Sequence, residues 1–276
     1  MKQSPIRRAL TWWFAAPFDP WVCVNFAVDA TAARAYLGAL PRSPRVTMNH
    51  LLAAVIGRTL REHPHANGRV IRDKIVLLDE VRIAMPVSVV DGELGRELSL
   101  ATVRGVDKLT LVEIAERSTR AVHAEREGRS SDPWVKSLLA ASGSLPGPAF
   151  NRAMDGLDRV MNHSVASEAL FRASGMTTAL SNVGATFGQQ RGMLFRGASV
   201  SPPQRLFQVG TFWGCSAVQD EVVAHDGLPT VRPMLPVLFL FDHRLIDGVR
   251  ASRVATTFNE YFQAPSRVLG VDGRAS

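Results

Sequence analysis

Phe241-Asp-His-Arg-Leu-Ile-Asp-Gly248 sets a histidine at the end of an apolar run, with an aspartate and a glycine four and five positions later. An imidazole takes up or releases a proton near neutral pH, which makes His243 a candidate general base. Taken alone, H-x-x-x-D-G is a weak signal, because a lone histidine is more often a hydrogen-bonded structural residue. Asp247 is separated from His243 by a turn and need not touch the imidazole as the aspartate of a catalytic triad would. Gly248 fits a turn that needs an unusual φ or a close helix approach. Thr178-Ala-Leu-Ser-Asn-Val-Gly184 carries a second reactive group, the Ser181 hydroxyl. Read by itself, Ser181 is a strand-end hydroxyl bonded to backbone.

These groups need rigid supports. Met234 to Phe241 reads as a buried strand, which places His243 at the rim of a sheet. Trp21 to Asp29 alternates, with Val22, Val24, Phe26 and Val28 on one face. Helical periodicity runs through Thr31–Leu40 and Met48–His63, the latter ended by Pro64. Strands are expected at Arg69–Leu78, Val81–Val89, around Leu98–Val103, at Met176–Val183 and at Leu206–Phe212, with a Gly-rich loop from Gly184 to Gly192. Thr110-Leu-Val-Glu113 is a capping box opening a helix that stops at Gly128. Short helical patterns occur around Trp134–Ala141, Phe150–Met161 and Val165–Ala173. The last helix, Val249 to Phe262, aligns Ala251, Val254, Ala255, Phe258 and Phe262 on one stripe. Strands and helices interleave without strict alternation, so the expected architecture is α/β with a mixed sheet.

The chain has 276 residues, 46% of them hydrophobic, and a formal net charge of +7. Such a length can bury a large core. The arginines are scattered and no dense basic run or nucleic-acid motif occurs, so no nucleic-acid partner is expected. Diffuse positive charge favours an anionic ligand such as a nucleotide cofactor. Cys23 and Cys215 are the only cysteines, too few for a disulfide framework and without metal-ligand spacing, so no metal is expected. No apolar segment reaches the roughly 18 residues of a membrane span. No signal peptide is recognisable either, so the expected location is cytoplasmic.

Three segments together resemble one family. Asn49-His-Leu-Leu-Ala-Ala with Leu60-Arg-Glu-His-Pro-His-Ala-Asn67, then Thr178–Gly184 with Pro203-Gln-Arg-Leu-Phe-Gln-Val-Gly210, and finally Leu235–Gly248 are similar, in order, to the acyltransferase core of 2-oxoacid dehydrogenase complexes (dihydrolipoamide acyltransferase). The last segment is also similar to the active-site strand of chloramphenicol acetyltransferase. The resemblance implies a chloramphenicol acetyltransferase-like fold, a two-layer mixed β-sheet with helices packed on it. It implies transfer of an acyl group between coenzyme A and an acceptor nucleophile, with His243 as general base and Ser181 stabilising the tetrahedral oxyanion. Asp247 would shape the site by pairing with an N-terminal arginine, Arg7 rather than Arg8. Arg7, Gly248 and Asn182 become structural supports of the site. Coenzyme A or acyl-CoA enters as substrate. The subunits would form a homotrimer, or a higher assembly of trimers, with His243 of one facing Ser181 of the next.

The same comparison yields the expected organisation: a single catalytic domain over residues 1–276, no lipoyl or subunit-binding domain, and a helical insertion at about 130–173. That insertion could be a lid, an acceptor wall or a packing embellishment. On these grounds the sequence suggests a stand-alone CoA-dependent acyltransferase acting on an unidentified hydroxyl, amine or thiol. The alternatives are a dihydrolipoamide acyltransferase core whose lipoyl domain lies on another chain, and a non-catalytic oligomeric scaffold.

Overall fold

The computed structural model describes residues 20–91, 95–127, 146–184, 202, 205 and 208–276. Within them the chain runs β1 (Trp21–Asp29), α1 (Thr31–Ala39), α2 (Met48–Glu62), β2 (Gly68–Ile71), β3 (Lys74–Leu77), β4 (Arg82–Asp91), β5 (Gly95–Arg104) and α3 (Leu111–Arg126). It continues with α4 (Gly147–Asp158), a π-helical turn (Arg159–His163), α5 (Ser167–Ser174), β6 (Thr178–Asn182), β7 (Thr211–Cys215), β8 (Gln219–His225), β9 (Leu228–Asp242), α6 (Gly248–Gln263) and α7 (Pro265–Leu269).

Among the described residues the main sheet has the order β1-β9-β7-β6-β4-β5, with β8 added to β9. β6 is parallel to β4 and β7, while β9 is antiparallel to β1, β7 and β8, so the sheet is mixed. β9 is its spine. Val237, Phe239 and Phe241 pack into the helix-facing cluster, whereas Leu238 and Leu240 join a second cluster with Ala84, Met176, Ala179, Val209 and Phe212. That is the two-residue period of a strand buried on both faces.

The helix-facing cluster draws residues from α1, α2, α3 and α6. On α6 the stripe Ala251, Val254, Phe258 and Phe262 is buried, joined by Thr257 where the expected Ala255 is only half-buried. Trp213 of β7, 1% exposed, stacks on Phe239 and Phe258 at 4.2 and 4.8 Å between ring centroids. Thr110 and Glu113 form the expected capping box at α3, the Thr110 hydroxyl accepting from Glu113 N–H at 3.2 Å and the Glu113 carboxylate from Thr110 N–H at 2.9 Å.

Several expectations are corrected. Arg69–Leu78 is not one strand but the β2–β3 hairpin, turned at Arg72 and Asp73 with φ of 46° and 63°. Two left-handed residues in succession make the tight hairpin turn whose twist suits its strands. β8 has no counterpart among the expected strands; it pairs with β9 across the Asp226-Gly227 turn, again with two positive φ values. The strand expected at Leu206–Phe212 begins at Thr211. Val24, expected on the buried face, is 37% exposed on an edge strand. The helix expected at Trp134–Ala141 and the Gly-rich loop beyond Gly184 lie outside the described residues. No described helix is long and apolar enough to cross a membrane.

The start of α2 carries a pH sensitivity. His50 is the third residue of the helix, and its Nδ1 accepts the Thr47 N–H at 3.2 Å. Burial pushes the imidazole below its ordinary value. A group whose folded value is depressed stabilises the fold above its unfolded value, about 6.5 for histidine, and loses that contribution as pH falls. Acidification from pH 7 to 5 is therefore expected to lower the melting temperature. His50→Gln, which accepts the same bond without titrating, should flatten that dependence, as thermal melts across the range would record. An equal slope in the variant would rule His50 out as the cause.

Candidate active site

β9 ends at Asp242, and the turn that follows is held from several directions. Asp242 N–H donates to Gly210 O at 3.1 Å, and His243 N–H donates to Pro20 O at 2.9 Å. Leu245 and Ile246 N–H both return to Asp242 O, at 2.8 and 3.2 Å. The Asp242 side chain, 5% exposed, accepts from Arg244 N–H at 2.8 Å and from its guanidinium at 2.7 Å. His243 is half-buried, with its ring 6.2 Å from that of Phe241. The imidazole is thus carried by a backbone with little freedom, the condition for a proton-transfer group to meet its partner repeatedly in one geometry.

Asp242→Asn keeps the size of the side chain but removes the charge that grips Arg244. The variant is expected to stay folded and to lose roughly tenfold or more in turnover through a misplaced imidazole. Parallel circular-dichroism melts and steady-state rates would separate the two effects.

Asp247 has a definite structural task. Its carboxylate accepts from Arg250 N–H at 2.9 Å and its backbone carbonyl from Ala251 N–H at 2.9 Å, so it caps α6. A carboxylate there satisfies otherwise unpaired helix N–H groups and meets the positive end of the helix dipole. Gly248 departs from expectation. It has no positive φ, and an added Cβ would meet nothing within 4 Å. Neither reason for a glycine holds within the chain, where Gly248 is simply the first residue of α6. Arg7, the expected partner of Asp247, lies outside the described residues.

Ser181 sits on β6, half-buried, opposite Gly214 of β7. Asn182 secures the turn after it: its Oδ1 accepts Gly184 N–H at 2.7 Å and its Nδ2 donates to Asn49 Oδ1 at the start of α2. A Cβ on Gly184 would lie 2.5 Å from Ala217 N, so the backbones meet too closely there for any side chain. Asn49 belongs to one of the motifs quoted above, but nothing in its spacing assigns it this role.

The structure does not bring Ser181 and His243 together in one chain. Ser181 pairs with Gly214, which pairs with Leu238, and His243 lies five positions beyond Leu238. At about 3.3 Å per residue and 4.8 Å per strand, the two lie roughly 19 Å apart. The C-terminal end of β6 and that of β9 point to opposite ends of the sheet. Among the described residues no group of three or more His, Cys, Asp or Glu side chains could hold a metal ion.

This mixed sheet with its helical layer is the chloramphenicol acetyltransferase-like fold. Chloramphenicol acetyltransferase itself superposes with a TM-score of 0.54 over 95% of this chain and all of that one, at 14% identity. The cubic core of the pyruvate dehydrogenase multienzyme complex superposes with a TM-score of 0.63, covering 97% of this chain and 93% of that one at 17% identity. Residues 20–133 and 169–270 match the family described as 2-oxoacid dehydrogenases acyltransferase (catalytic domain), and the chain belongs to that family. Among curated relatives, the dihydrolipoyllysine-residue succinyltransferase component of the 2-oxoglutarate dehydrogenase complex of Haemophilus influenzae is 24% identical over 222 residues, 80% of this chain. The chain spans 41% of that relative's length.

Proposed function

We propose that the chain is the catalytic core of a dihydrolipoamide acyltransferase, moving an acyl group between coenzyme A and the thiol of a dihydrolipoyl group. The observation that carries the reading is His243 itself: a half-buried imidazole carried at a strand end by a backbone that several hydrogen bonds hold, within the stretch that matches the family. His243 removes the proton from the attacking dihydrolipoyl thiol. The sulfur adds to the thioester carbonyl, and the resulting oxyanion receives a hydrogen bond from Ser181. Collapse expels the coenzyme A thiolate, which takes the proton back from His243. The product is an acyl-dihydrolipoyl thioester and free coenzyme A, with no net change in protons.

The separation of Ser181 and His243 supports a site shared between two copies. Head-to-tail contacts that close on themselves make a ring, and a trimer satisfies that with identical sites at each interface. Asn182 and Asp247 then act as supports, one behind the oxyanion donor and one behind the histidine turn. Relatives named for dihydrolipoyllysine acceptors favour the thiol acceptor over the stand-alone enzyme that the sequence first suggests. Residues 134–168, which fall between the two matched stretches, favour keeping a small-molecule acceptor as the second reading.

Coenzyme A release from acetyl-, succinyl- and longer acyl-CoA, followed by chromatography because a thiol acceptor leaves the total thiol count unchanged, tests both when dihydrolipoamide or a pool of alcohols and amines is offered. Release dependent on dihydrolipoamide supports the proposal, and release dependent on an alcohol or amine supports the second reading. No release with any pair, from properly assembled protein, overturns both and favours a scaffold.

A further inference from the structure

Arg69 stands out among charged groups that the mechanism does not use. It lies on β2 and is 4% exposed. Its guanidinium stacks over the Phe171 ring of α5, 4.7 Å from the centroid, and Nη2 donates to Asn162 Oδ1 at 2.7 Å. Asn162 Nδ2 in turn donates to Asp158 Oδ1 at 2.6 Å. Asn162 sits in the π-helical turn, which shifts the helical register by a residue and directs this side chain inward. Burial pushes the Arg69 guanidinium down to about 10, against the attraction of Asp158. Removing such a charge from water is costly, so the surroundings are built to hold it.

The other side of Arg69 faces the segment that leads into β7. Nη1 reaches Gln208 O at 3.4 Å. The adjoining Gly68 presses its carbonyl against Gly210, where an added Cβ would come within 1.8 Å of that oxygen. Gly210 O accepts from Asp242 N–H, the residue before His243. Residues 208–210 are therefore held between β2 on one side and the end of β9 on the other. Asp158 and Asn162 belong to residues 134–168, outside the stretches that match the family.

We infer that Arg69 is a positioning residue for His243, transmitting the docking of the helical segment 147–174 to the histidine turn through Gln208–Gly210. The inserted helices are then part of what sets the imidazole's place. This rests on His243 being the base of the proposed transfer, so the test carries a readout independent of catalysis.

Arg69→Lys, Arg69→Met and Asn162→Ala would be compared with wild type in the assembled protein, by steady-state kinetics and by the Cε1–H resonance of His243, assigned through its loss in His243→Ala. The expected result for Arg69→Lys and Asn162→Ala is a fall in kcat of roughly 10- to 100-fold with KM changed less than about twofold, and a displaced His243 resonance beside unmoved signals of the distant His50 and His225. Arg69→Met should go further in the same direction or fail to fold, and in that case the two milder variants decide. An unshifted His243 resonance in folded Arg69→Lys and Asn162→Ala overturns the inference. If wild type shows no acyl transfer while the resonance still moves, the coupling stands and the proposed reaction falls.

Discussion

His243→Ala is expected to lower acyl transfer by roughly 10²- to 10⁴-fold, the usual contribution of a positioned proton-transfer group, with folding and assembly unchanged. The turn does not depend on the imidazole for its shape. Its bonds run through the backbone of residues 242–246, through Pro20 O and Gly210 O, and through the Asp242–Arg244 pair. Ser181→Ala should cost about 10²-fold or more through loss of the oxyanion donor, again without unfolding, since the Asn182 bonds that hold the following turn remain. The two variants together give the sharper result. Each alone should be strongly impaired, but a site that draws His243 from one subunit and Ser181 from its neighbour should be restored in mixed assemblies. Random reassembly of equal amounts into trimers should recover about one quarter of wild-type sites. Recovery near zero, with mixed assemblies verified by mass, would falsify the shared site.

Trp213→Ala is expected to be the most damaging single core change, at about 3–5 kcal/mol. The indole lies between the Phe239 ring of β9 and the Phe258 ring of α6, so it bridges sheet and helix layer at the strand that leads to His243. Truncation removes two aromatic stacks and leaves a cavity whose walls belong to different elements and cannot collapse independently. With roughly 2–4 °C per kcal/mol in a chain of this size, the melting temperature should drop by about 6–20 °C. Melts at two protein concentrations would keep assembly effects apart from the core effect. A loss below about 1 kcal/mol would mean that the layers close over the gap.

The strand that carries His243 was legible because nearly all of Leu235–Phe241 is apolar and β9 is buried on both faces, a pattern visible in linear sequence. The α3 start was legible for a local reason too, since Thr110 and Glu113 satisfy each other three residues apart. β8 was not, because Gln219-Asp-Glu-Val-Val-Ala-His225 is half-exposed or exposed along its whole length and offers no alternation to read. The break in Arg69–Leu78 was hidden because Arg72 and Asp73 occupy positive-φ positions usually given to Gly or Asn. Ser181 and His243 were recognisable by family resemblance, yet their placement at opposite ends of the sheet follows from long-range pairing of β6, β7 and β9. No local pattern carries that. The supporting roles of Asn49 and Arg69 arise the same way, from contacts between segments more than ninety residues apart in the chain.

If the proposed site draws on Ser181 and His243 from two subunits, their placement at opposite ends of one sheet makes turnover a reporter of mass action. A folded but solitary subunit holds both groups and can use neither with the other. On dilution, specific activity should therefore decline along the association isotherm while circular dichroism stays constant, and added partner subunits should act as an activator with a measurable half-saturation concentration.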